Sequence, residues 1–138
     1  MSSKQEVLRG ATEILLVEDC PGDVRVMQEA LQESQQLTHL SVVRDGEEAM
    51  AFLRQKGDHC NAVRPDLILL DLNLPKKSGF EVLAEIRQDA LLEDVPVIVM
   101  TSSTSPPDFR RAYALNANCC LTKSIDLEQF LKLVKALV

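Results

Sequence analysis

The chain has 138 residues, enough for one compact domain with a sizeable core and too few for a second of ordinary size. Hydrophobic residues make up 46% and aromatic ones only 4%, which excludes a disordered chain and leaves Leu, Val and Ile to build the core. A formal net charge of −6, with 15 basic residues scattered rather than grouped, argues against a nucleic-acid-binding surface.

Residues 1–12 read as a polar leader, with Lys4, Glu6 and Arg9 and no apolar stretch of signal-peptide length. Residues 14–17 are continuously apolar and predict a buried strand. Pro21-Gly22-Asp23 then opens a helix with Val24, Met27 and Leu31 on one face. A second strand is expected over 39–43, less buried because Ser41 interrupts its apolar run. Asp45-Gly46 marks a turn or cap, followed by a helical stripe of Ala49, Phe52 and Leu53. Residues 57–65 form a loop.

Residues 67–70 predict the most deeply buried strand, and Ser78-Gly79 starts a helix carrying Leu83, Ile86 and Ala90. A fourth strand is expected over 95–100. Ser105 is a candidate cap for the next helix, with Pro106 in its first turn, where a missing N–H costs little. Phe109, Ala112 and Tyr113 would form its inner face. A short fifth strand over 119–122 precedes a last helix from about Asp126, with Leu127, Phe130, Leu131, Val134 and Val138 turned to the core. Strands alternating with helices predict a doubly wound α/β domain over residues 13–138, with helices on both faces of a parallel sheet. No output domain is expected after the fifth helix.

Residues capable of chemistry stand at the carboxyl ends of the apolar runs. Glu18-Asp19 follows the first, Asp71 the third and Thr101 the fourth, and Lys123 closes the fifth. In a parallel sheet those ends share one edge, so the five side chains would meet in one acidic pocket. Clustered carboxylates resist joint ionisation unless a cation compensates them, and such a pocket with a hydroxyl and a lysine suits Mg²⁺ and phosphoryl chemistry. Taken singly, each has an ordinary reading: an acidic helix start, a turn aspartate, a loop threonine, a solvated lysine. Their order at successive strand ends argues against coincidence. Asp45 and Asp66 lack such placement and read as structural.

Cys20, Cys60, Cys119 and Cys120 include no Cys-x-x-Cys pair, and His39 and His59 have no partner cluster, so zinc is not expected. Reduced thiols point to a cytosolic protein. No apolar segment has membrane-spanning length.

The blocks "ILLVEDCPGD", "PDLILLDLNLPKKSGFEVL", "VPVIVMTSS" and "CCLTKS" resemble, in order, the signature blocks of two-component response-regulator receiver domains. The resemblance covers the chain beyond Thr12. In its finer wording it is similar to the small single-domain regulators of cyanobacterial phytochromes. It implies a flavodoxin-like fold, with five strands in the order 2-1-3-4-5, and a signalling protein rather than an enzyme. Asp71 would accept a phosphoryl group from a histidine kinase, with a phytochrome as the kinase the subgroup implies. Asp19, Asp71 and the Asn73 backbone carbonyl would bind Mg²⁺, with Glu18 acting through metal-bound water. Thr101 and Lys123 would contact the phosphoryl group, and Ser102 is small enough to leave it room.

Two positions depart from the family pattern. Cys120 stands where receivers often carry an aromatic residue, and Ser124 replaces the usual proline after Lys123. Cys120 reads better as a small buried apolar residue than as a redox sensor. The alternatives are a degenerate receiver used only for binding, an aspartate-nucleophile phosphatase, and a flavodoxin-like carrier. The phosphatase family wants an acid where Asn73 stands, and an acidic first loop would repel a flavin phosphate. Leu133 and Leu137 widen the last helix's stripe beyond one face. A homodimer through the fourth helix, fifth strand and fifth helix is therefore expected.

Overall fold

The computed structural model describes residues 11–34, 37–102, 106–123 and 126–137. Ser105, Ser124, Val138 and residues 1–10 of the leader lie outside them. The strands are β1 (Thr12–Val17), β2 (Thr38–Val43), β3 (Leu67–Asp71), β4 (Val97–Thr101) and β5 (Cys119–Thr122). The helices are α1 (Pro21–Glu33), α2 (Gly46–Leu53), α3 (Gly79–Gln88), α4 (Pro106–Ala114) and α5 (Leu127–Leu137). A 3-10 turn covers Gly57–His59.

All strand pairings are parallel and the order is β2-β1-β3-β4-β5, as expected. Each crossover therefore needs a helix, and the strands bury both faces. β3 and β4 are buried throughout, and β2 at the edge is only half-buried. Alternating side chains feed two separate cores. One holds Leu15, Val17, Ile68, Leu70, Val97 and Val99 under α2, α3 and α4. The other holds Ile14, Leu16, Leu67, Leu69 and Ile98 under α1 and α5. Cys120 belongs to the first core and Cys119 packs on the second, so the adjacent cysteines do face opposite ways.

Local chemistry accounts for the helix starts. Asp45 Oδ1 accepts the Glu48 N–H at 2.7 Å, and Ser78 Oγ accepts that of Glu81 at 3.3 Å, each satisfying an amide the helix cannot. Asp66 Oδ2 accepts the Glu13 N–H at 2.9 Å. Asp45 and Asp66 are thus structural, as read.

Several facing assignments differ from the sequence reading. Ala90 is exposed because α3 stops at Gln88 and the chain leaves the helical stripe. Tyr113 is 50% exposed, since its hydroxyl reaches over the sheet edge to accept the Cys120 N–H at 3.2 Å. Leu127 is 41% exposed because it begins α5, one turn before Phe130, the first residue of that helix to enter the core. Leu131, Leu133 and Leu137 are partly buried against the second core, so the wide apolar stripe is largely used in packing. Strand bounds moved by one or two residues: β1 begins at Thr12, whose N–H bonds Leu37 O at 3.0 Å, and β4 begins after Pro96, which has no N–H to give a ladder.

Gly79 sets how closely α3 approaches the end of β3. Its N–H bonds Leu72 O at 3.0 Å, and a Cβ there would stand 2.3 Å from the Asp71 carbonyl oxygen. The obstacle is backbone, which cannot swing aside as a flexible side chain could. Gly79→Ala should therefore cost about 1–3 kcal/mol of stability, the range for overpacking a tight interior. Urea unfolding measures it, and a change within the scatter of ordinary surface substitutions would contradict the close-approach argument.

Candidate functional site

The register brings the chemistry-bearing residues to one edge. Val17 pairs with Leu70, Asp71 with Met100 and Thr101 with Thr122, so β1, β3, β4 and β5 end side by side. Glu18 continues from β1 and its N–H bonds Val43 O at 3.0 Å. The Lys123 N–H bonds Thr101 O at 2.9 Å, which fixes the lysine backbone beside β4.

Glu18 and Asp71 are each 4% exposed, Thr101 is fully buried, and Asp19 is exposed at the rim. Glu18, Asp19 and Asp71 each offer a carboxylate oxygen within 4.8 Å of the others. Hard oxygen donors at this density suit Mg²⁺, Mn²⁺ or Ca²⁺. The cluster can therefore hold a divalent cation, and three of the residues expected from sequence, Glu18, Asp19 and Asp71, lie in it.

Among the protein's own groups the compensating charge is Lys123. Its Nζ lies 2.8 Å from Glu18 Oε1, 3.1 Å from Asp71 Oδ2 and 2.8 Å from Asp23 Oδ2. Burial works against the ammonium, but the hydrogen bonds it donates to Asp23, Glu18 and Asp71 outweigh it and hold Lys123 above its ordinary value. Glu18 is pushed up to about 7, first by burial and further by adjacent Asp71, with Lys123 and the Cys20 N–H opposing. The pocket thus accepts its second buried negative charge only with difficulty, even with a lysine inside it.

Asp71 is held at both oxygens. Oδ1 accepts the Asn73 N–H at 3.0 Å, and Oδ2 accepts from Lys123. Asn73 itself is exposed. All the expected site residues except Asn73 are strand-end residues, and the structure gathers Glu18, Asp19, Asp71 and Lys123 directly. Thr101 adjoins them through its backbone bond to Lys123.

Sequence reasoning missed Asp23, which it used only as part of a helix start. The available signal was positional. A helix following β1 begins at the same sheet edge, so an acid in its first turn faces the site.

Comparison with known proteins agrees with this geometry. The family model for the response regulator receiver domain matches residues 14–135. Response regulator Rcp1 of Synechocystis sp. is 51% identical over 124 residues, covering 90% of this chain and 84% of that protein. The crystal structure of the Mn(2+)-bound form of response regulator Rcp1 superposes with a TM-score of 0.81 at 50% identity, covering 91% of this chain and 90% of that one. The crystal structure of the phosphorylated cyanobacterial phytochrome response regulator RcpA gives a TM-score of 0.82 at 52% identity, again with coverage of 91% and 90%. The fold and the acidic cluster are those of a receiver domain, and the cluster is consistent with a phosphorylation site.

The cysteines are all free, with Cys20 and Cys60 exposed. Burial pushes the Cys120 thiol up to about 11, Cys119 adds to this, and the Tyr113 hydroxyl opposes it. A raised value means less thiolate at any given pH, hence slower reaction. In native protein at pH 8, a thiol reagent followed by peptide mass mapping should label Cys20 and Cys60 and spare Cys120. Labelling of Cys120 should rise only as the pH nears 11 or the chain unfolds. Rapid labelling of Cys120 at pH 8 would contradict the buried, apolar reading.

Proposed function

The chain belongs to the response regulator receiver domain family, and we propose that it accepts a phosphoryl group on Asp71 from a histidine kinase, changing its surface for a partner. The observation that carries the reading is the convergence of Glu18, Asp71 and Lys123, from three strand ends, within hydrogen-bonding distance. A carboxylate oxygen of Asp71 attacks the phosphorus of a phosphohistidine. The new O–P bond forms as the P–N bond breaks, and the imidazole leaves with the electron pair. Asn73 orients the nucleophile through its N–H, and Lys123 lies where it can follow a transferred phosphoryl oxygen. Asp19, Asp71 and the Asn73 carbonyl would hold Mg²⁺, with Glu18 acting through water, and the ion supplies positive charge against the phosphoryl oxygens.

Thr101, buried at the end of β4, would bind a phosphoryl oxygen through its hydroxyl only after transfer. An interaction present in one state and absent in the other is what shifts an equilibrium between them. The names of the similar regulators support a phytochrome as the kinase. A cytoplasmic location and a surface that does not bind nucleic acid accord with the charge of −6 and with the absence, among the described residues, of any helix long and apolar enough to cross a membrane. A phosphorylation-independent binding module is disfavoured by the complete acid and lysine set. A phosphatase is disfavoured by Asn73, where that chemistry needs an acid.

Treatment with Mg²⁺ and acetyl phosphate should add one phosphoryl mass to the wild-type protein and none to Asp71→Asn. Full phosphorylation of that variant would place the acceptor elsewhere.

The reading extends to a homodimer through α4, β5 and α5. What supports it is the edge position of β5 and two exposed apolar side chains, Tyr113 on α4, whose hydroxyl meets the β5 backbone, and Leu127 on α5. Leu127→Glu tests it better than a change at Leu133, which is packed on the core. Sedimentation across a concentration series should show wild type dimerising and Leu127→Glu at least severalfold weaker. Wild type that remains monomeric at high micromolar concentration, with and without acetyl phosphate, would exclude this interface.

A further inference from the structure

We propose that Asp23 is a positioning residue for Lys123, holding its ammonium at the pocket mouth while Glu18 and Asp71 engage a divalent cation. The inference rests on the receiver reading above and deepens it. An ammonium has three N–H donors, and here each meets a different carboxylate, with Nζ at 2.8 Å from Glu18, 2.8 Å from Asp23 and 3.1 Å from Asp71. The three acceptors are not equivalent. Glu18 and Asp71 are buried and belong to the cluster that can hold a cation, whereas Asp23 lies outside that cluster and its side chain is 42% exposed. Lys123 therefore spans from the floor of the pocket to its rim.

A divalent cation held by Asp19 and Asp71, with Glu18 engaged through its water, competes for the oxygens the ammonium now contacts, and the two cations repel. The lysine backbone cannot retreat, because its N–H is bonded to Thr101 O. Only the side chain can yield, and Asp23 is the carboxylate left to receive it. Without Asp23 the ammonium either stays on Glu18 and Asp71, opposing the cation, or swings into water and must be ordered again when the phosphoryl group arrives.

The placement of Asp23 is rigid. It lies in the first turn of α1, where the helix dipole favours its charge, on a helix anchored through Val24, Met27 and Leu31. The ordinary account of Asp23 is that same favourable helix start and nothing more. It predicts some loss of stability on substitution but no dependence on Lys123.

The test is a double-mutant cycle read by calorimetric titration with Mg²⁺. Asp23→Asn should weaken Mg²⁺ binding about three- to tenfold, as expected for directly coupled side chains. In a Lys123→Ala background the same change should have a clearly smaller effect, and Asp23→Glu should restore binding. At saturating Mg²⁺, Asp23→Asn should also slow phosphorylation of Asp71 by acetyl phosphate, with Asp23→Glu recovering the rate. An equal loss of affinity in both backgrounds overturns the proposal, since Asp23 would then act only as a nearby charge. So does a wild type that binds no Mg²⁺. If the wild type gains no phosphoryl mass, the receiver reading fails, while the Mg²⁺ cycle still decides the role of Asp23. If it is phosphorylated and the cycle is additive, only Asp23 loses its role.

Discussion

The structure is organised around an electrostatic constraint: two buried carboxylates, Glu18 and Asp71, stand at the end of a parallel sheet with one ammonium between them. Removing such charges from water costs several kcal/mol per ion unless a counter-charge and hydrogen bonds replace the lost hydration. Lys123 supplies both from within the chain, and Asn73 and Cys20 add backbone N–H donors to Asp71 and Glu18. The compensation is incomplete, as the raised Glu18 shows. A pocket in this condition favours a divalent cation because an ion of higher charge satisfies more oxygens at once.

Such a cluster keeps its geometry only on a frame that does not relax. β1, β3 and β4 are walled by an apolar core on each face, and the shared ends of the strands are set by register rather than by the acids themselves. Two close backbone approaches tighten the frame near the site: Gly79 against the Asp71 carbonyl and Gly46 against the Lys77 carbonyl. Between them, Lys76 takes a left-handed conformation with φ 67° and reaches Asp45 at 3.6 Å. The loop after Asp71 is thereby pinned to the start of α2. At the opposite end of the sheet Arg87 donates to the carbonyls of Glu93, Val95 and Asn116 and to Asn118 Oδ1. It ties the C-terminal end of α3 to the segments entering β4 and β5.

The edge strand β5 is where this chain departs from the family pattern. Cys120 is a small buried residue where receivers often place an aromatic ring, so a large ring rotating in that slot is not available here. The neighbouring aromatic is Tyr113 from α4, and it meets Cys120 by a hydrogen bond to the backbone N–H rather than by filling space. Any movement of β5 against α4 must therefore break or re-aim that bond. The redox alternative loses force for the same reason: burial keeps the Cys120 thiol protonated, and a protonated thiol is a poor nucleophile.

The sequence alone determined the elements, the parallel topology and most of the residues that the structure gathers into the candidate site. The reason is that parallel strands buried on both faces are written as unbroken apolar runs, and active residues at their carboxyl ends are a local signal. Glu18, Asp19, Asp71, Thr101 and Lys123 were legible in this way, one run at a time. Helix faces at element ends were less so. Ala90, Tyr113 and Leu127 all fit a helical stripe, but periodicity does not say where a helix stops meeting the sheet. Tertiary structure alone decided which charges pair. Glu18 is buried and its neighbour Asp19 exposed, and nothing in the dipeptide distinguishes them. Asp23 meets a lysine 100 residues away because α1 starts at the same sheet edge where β5 ends. Pairing depends on distance and burial across elements, and a linear pattern carries neither.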